Sequence, residues 1–166
     1  MSKFFIYTLT LLISFSTESS FADNTSFEKG VAKASIVLGI SDVVNASVET
    51  IVLPNDYAYS KAYTWGGDET SPPKRIIKTI TISRNGQAFF IPLSTYADLA
   101  NPRNLLLEKL PAHGFRLIIN GGDAAGSYSA MLDFKKNEIF RRKVVSGEFP
   151  KEAWEETTFA FNHLSN

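Results

Sequence analysis

Residues 75–93 form two runs rich in isoleucine, threonine and phenylalanine on either side of Asn85-Gly86. Apolar and polar residues alternate in both, which is the period of a strand with one dry and one wet face. Asn-Gly tolerates the positive backbone angles of a type I′ turn, so the segment reads as a hairpin. That turn sets a register in which Ile82 faces Phe89 and Ile80 faces Ile91. Pro92 has no N–H to donate, so the second run ends there or lies along a sheet edge.

The same period recurs along the chain. Tyr128, Ala130, Leu132 and Phe134 alternate with Ser127, Ser129, Met131 and Asp133, and a second hairpin turn is expected at 135–137. In the run after it, Phe140 and Val144 share a face with Glu138 and Arg142, so its two sides divide less cleanly. Further strands are expected at 31–38, 43–53, 57–65, 105–110, 115–120 and 156–162. About ten short strands joined by loops rich in glycine, proline and aspartate define an all-β antiparallel sandwich or barrel, and periodicity does not choose between the two. One short helix is expected near Thr95, with Thr95 as its cap, Asp98 reaching back, and Asn101-Pro102 as its stop. Arg141-Arg142-Lys143 splits between two strand faces and reads as a charged edge that resists strand-to-strand aggregation.

The first 22 residues follow the plan of a signal peptide: Lys3, an apolar run over 4–15, then Ser20-Phe21-Ala22 before Asp23. This divides the chain into a leader at 1–22, a polar and flexible segment at 23–30, and a single β-sandwich-like domain at 31–166. The apolar run falls short of a membrane-spanning length, so no stable span is expected once the leader is removed. The chain has no cysteine, which excludes a disulfide framework, a thiolate metal centre and a cysteine nucleophile. A cysteine-free exported domain fits a periplasmic or secreted location. Seventeen basic residues balance seventeen acidic ones, so no overall field attracts nucleic acid.

If the strands run up and down, alternate loops share one end, and that end carries 66–73, the turn near Thr95, 120–126 and 146–154. Two of these loops open alike, as Gly66-Gly67-Asp68-Glu69 and Gly121-Gly122-Asp123. Paired glycines permit sharp reversals and aspartate stabilises turns, while the same groups offer hydrogen bonds to a ligand. Gly66-Gly67-Asp68-Glu69 also resembles the signature loop of diguanylate cyclases over four residues. That resemblance would imply an α/β cytosolic domain, which the strand pattern and the leader oppose, so no function is carried over.

Along 57–65, Tyr57, Tyr59, Lys61, Tyr63 and Trp65 share one face. Such a stripe suits stacking on sugars, contact with a protein, or core packing. Catalytic parts are sparse: the chain has two histidines, His113 and His163, and no catalytic residue, metal ligand or cofactor is assigned. The reading is an exported binding protein of inhibitor or immunity type, with an envelope or secreted protein as partner. Its provisional contacts are Trp65, Asp68, Glu69, Asp123 and Tyr128. A carbohydrate-binding module using the aromatic stripe is the alternative, and a small envelope hydrolase using two carboxylates is a further one.

Overall fold

The computed structural model describes residues 25–27, 29–58, 64–66 and 72–161. The leader, Tyr59, Lys61, Tyr63, Asp68, Glu69 and His163 lie outside the described residues. Ten strands are present among those described: β1 Thr25–Ser26, β2 Val31–Gly39, β3 Asp42–Val52, β4 Arg75–Arg84, β5 Gln87–Ala88, β6 Pro102–Leu110, β7 Gly114–Gly121, β8 Tyr128–Lys135, β9 Glu138–Ser146 and β10 Ala153–Thr158. They form two antiparallel sheets packed as a sandwich, which decides between the two architectures that periodicity left open.

Each sheet is a meander. One runs β2-β3-β4-β5 and the other β6-β7-β8-β9-β10, so consecutive strands are neighbours within each. The exception is β1, which leaves the segment read as flexible and pairs with the outer edge of β6 through Thr25 opposite Leu105 and Ser26 opposite Asn104. The chain then crosses to β2, so its first strand ties the edge of one sheet to the start of the other.

Alternation explains the core. Ala32, Ala34 and Ile36 on β2, Val44, Ala46 and Val48 on β3, and Ile77, Ile80 and Ile82 on β4 are buried on one inner face. Leu105, Leu107, Leu117, Ile119, Ala130 and Leu132 answer them from the other sheet. The small alanines at 34 and 46 sit in register with Ile82, which makes room for larger groups opposite. Phe115 and Phe134 stack with ring centroids 4.7 Å apart, and Phe89 from the first meander packs across both. Burial of this kind is the main stabilising term.

Both hairpin turns form where expected. Asn85 and Gly86 have φ of 52° and 83°, and Lys136 and Asn137 have 53° and 74°. The Phe89 N–H donates to the Ile82 carbonyl at 2.9 Å, so those two residues oppose each other. The pairing of Ile80 with Ile91 does not form, because β5 ends at Ala88; Ile91 instead packs against the core from the following segment.

Two other expectations are corrected. Near Thr95 there is a 3-10 turn, Leu93–Thr95, and no α-helix; Thr95 Oγ1 donates to the Pro92 carbonyl and caps nothing. Asp98 does not reach back, because Arg142 holds its carboxylate at 2.7 Å. The basic run 141–143 is not an edge either, since β10 pairs along β9 and covers it. Its members do divide between the two faces: Arg142 turns inward, and Arg141 turns outward to Asp133.

Candidate functional site

The two ends of the sandwich differ. At one end the strands are joined by short turns around Ser41, Asn85-Gly86, Ala112-His113 and Lys136-Asn137, where non-glycine residues adopt positive φ. At the other end lie the long connections between β3 and β4, β5 and β6, β7 and β8, and β9 and β10. The connections that carry Gly66, Thr95, Asp123 and Glu152 share this end as expected, but the strand expected at 57–65 does not form among its described residues, where Trp65 makes only an isolated bridge to Leu99, and β1 takes its place in the count. Trp65, Asp123 and Tyr128 all lie at this end.

Trp65 is tied into this end by its backbone. Its N–H donates to the Asp98 carbonyl at 2.7 Å, and the Ala100 N–H donates to its carbonyl at 2.9 Å. Its ring stacks on Trp154, the second residue of β10, with centroids 5.3 Å apart and planes 17° from parallel. One face of each indole is therefore occupied by the other, and both rings are half-buried.

The Gly-Gly loops meet. A side chain on Gly66, where φ is +81°, would come within 2.9 Å of the Gly122 Cα and 2.5 Å of the Tyr128 ring. Gly122, with φ of +67°, has the Gly126 carbonyl where a side chain would begin. Close approach of two backbones thus accounts for glycine at both positions. A ligand is not needed to explain it.

Tyr128 lies beneath the junction and is 1% exposed, so in this conformation it supports the loops and does not present a contact surface. Its hydroxyl donates to the Ala100 carbonyl at 2.9 Å. Burial pushes its pKa far above the ordinary tyrosine value, and the nearby Asp98 charge adds to the effect while Arg142 opposes it. The phenol stays protonated and acts as a fixed donor.

Arg142 is not among the residues that the sequence marks as contacts, yet among the described residues it is the most deeply placed charge at this end, with a side chain 4% exposed. It bonds Asp98 at 2.7 Å, Glu155 at 3.2 Å and the Ser94 carbonyl at 3.1 Å. One guanidinium thereby joins β9 to β10 and to the connection before β6. Arg142 Nε and Asp98 Oδ1 are buried with no hydrogen-bond partner among the described residues. The sequence signal was an arginine at an inward-facing strand position.

Asp123 is exposed and lines a groove of about 490 Å³ with Lys74, Arg75, Asn101, Pro102, Arg103, Gly122 and Pro72. Asn101 organises its floor. Its side-chain carbonyl accepts the N–H groups of Lys74 and Arg75 at 3.0 and 3.2 Å, and its backbone carbonyl accepts the Gly122 N–H at 3.1 Å. Three separate connections are held together by this one residue.

Among the described residues, no three or more histidine, aspartate or glutamate side chains are grouped to hold a metal ion. His113 sits exposed in a turn at the opposite end with φ of 57°. No described helix is long and apolar enough to cross a membrane. Compared with protein-family models, curated proteins and solved structures, the chain matches none of them.

Proposed function

We propose that this chain is an exported binding protein whose recognition surface is the loop end of the sandwich, with an envelope or secreted protein as its partner. The asymmetry of the two ends carries the reading: short turns close one end, while the other gathers every long connection, a groove and a tryptophan pair. Recognition residues commonly sit on loops that a rigid scaffold holds in place. Glu155 is engaged by Arg142, which takes one carboxylate at this end away from the hydrolase alternative.

Capture from envelope extract with immobilised protein tests the proposal. The wild type and a Lys136→Ala variant, altered at the turn end, are expected to retain the same partner. An Arg103→Ala/Asp123→Ala variant is expected to lose it. Equal capture by all three would overturn the assignment of the loop end.

The carbohydrate reading has one observation in its favour: Trp65 is only half-buried and Tyr57 is exposed. Because Trp154 already occupies a face of Trp65, a sugar would have only the remaining face to stack on.

A further inference from the structure

We infer that the groove between Asn101 and Asp123 is a binding site for an oxyanion attached to a hydroxyl-bearing ligand, such as an acidic or phosphorylated sugar. The inference rests on the proposed role of the loop end as a binding surface and specifies its chemistry.

The first support is how the arginines are used. The chain has six, and four of them, Arg84, Arg116, Arg141 and Arg142, each pair with a carboxylate. The remaining two, Arg75 and Arg103, have no ion pair among the described residues, and both line this groove with Lys74. Among the described residues that line the groove, three are cations and one, Asp123, is a carboxylate, on a chain whose formal net charge is zero. An unpaired guanidinium presents a planar fork of donors that fits a carboxylate or phosphate.

The second support is that the groove is built. Asn101, with φ of 46°, fixes the segments carrying Lys74, Arg75 and Gly122, and Tyr128 anchors the adjoining Ala100. A site whose walls are already held loses less on binding. Its volume of about 490 Å³ suits a ligand the size of a monosaccharide derivative. Asp123 disfavours a ligand charged along its whole length and accepts hydrogen bonds from hydroxyl groups, so it selects one anionic group beside neutral donors.

The experiment is titration of the full chain, followed by amide chemical shifts and calorimetry, with inorganic phosphate, a hexose 6-phosphate, a hexuronate and the neutral hexose. The hexose phosphate or the hexuronate is expected to bind and to move the amides of Asn101, Arg103, Gly122 and Asp123, and the stronger of the two identifies the oxyanion. The neutral hexose is expected to leave them unmoved. Arg75→Gln/Arg103→Gln should weaken binding by about tenfold or more. Lys109→Gln/Lys135→Gln, which removes the same charge elsewhere, should not. Asp123→Asn should weaken the sugar anion while sparing inorganic phosphate. Shifts confined to other regions, equal loss in the two charge variants, or no response to any anion would overturn the inference. Partner capture that persists in that event would leave the binding-protein reading standing.

Discussion

At the scale of single residues, Arg142 is where stability and site architecture meet. Its two carboxylate partners are each 27% exposed, so solvent shares part of their charge, but the guanidinium itself is almost fully enclosed. Arg142→Met would keep much of the volume and leave Asp98 and Glu155 facing each other without a cation. Removing one member of a buried charge cluster costs about 3–5 kcal/mol, and the partial exposure here lowers the expectation to about 2–3 kcal/mol. Urea denaturation measures it, and a loss below about 0.5 kcal/mol would show that the cluster is not a structural clamp. Arg142→Lys should recover only part of the loss, since an ammonium cannot reproduce the fork that reaches Asp98, Glu155 and the Ser94 carbonyl together.

Residue-level legibility was uneven. Asn85-Gly86 announced its turn because few residues tolerate its backbone angles, and Gly66 and Gly122 were visible as unusual for the same reason. That the two glycines touch was not visible, because the contact joins connections far apart in sequence. Tyr128 was noticed as an aromatic beside a loop, but its direction followed from the strand it begins. Arg142 is hard to read because a run of three basic residues has the composition of a wet surface, and its partners Asp98 and Glu155 are distant in sequence.

At the scale of elements, the outer face of the β6–β10 sheet carries a row of alternating charge. Arg116 on β7 and Arg141 on β9 flank Asp133 on β8, with contacts of 2.6 Å each, and Glu108 and Glu156 extend the row to either side. Asp133 is 1% exposed although it faces outward, because the arginine stems lie across it. Burial works to raise its pKa, but hydrogen bonds and charge from Arg116 and Arg141 outweigh that and hold it below the usual carboxylate value. The unfolded chain therefore takes up this proton first. The stability lent by Asp133 is complete above the ordinary carboxylate pKa and is lost as pH falls through the lower folded value. Asp133→Asn should cost about 2 kcal/mol at neutral pH, and the gap between wild type and variant should narrow as the pH is lowered from neutral to below the ordinary carboxylate value. Urea midpoints for both proteins across that range check it; a gap independent of pH would refute the assignment.

Strands were legible as elements and their irregularities were not. Lys78 forms a bulge between the pairings of Glu49 with Thr79 and Thr50 with Ile77, so Ile77 and Ile80 both point inward despite an odd spacing. A second bulge lies at Phe140, between the pairings of Asp133 with Arg141 and Phe134 with Ile139. It puts Ile139 and Arg142 on one side, which explains why the run after the second turn divided poorly between faces. A bulge leaves no mark in composition, because it is set by what the partner strand needs.

For the whole molecule, two successive meanders predict how it opens. β7 and β8 have paired neighbours on both sides and carry the fully enclosed Phe115, Leu117, Leu132 and Phe134, whereas β1 and β5 contribute two residues each. Amides in the centre of β7 and β8 should exchange with solvent only through global unfolding, and those of β5 should exchange sooner by local opening. Hydrogen exchange followed by mass spectrometry resolves this, and equal protection of β5 and β8 would contradict it. The overall architecture was readable because alternation and turn chemistry agree along most of the chain. Which strands share a sheet was not, because that depends on the route of the long connections.

The direction of β10 has a practical meaning. It starts beside the tryptophans and runs toward the short turns, where the Phe159 N–H meets the Phe140 carbonyl. A dye or surface linkage attached at the exposed Ala160 would therefore sit at the pole opposite the cationic groove. Protein immobilised in that way would hold Arg75 and Arg103 toward the solution, ready to be assayed.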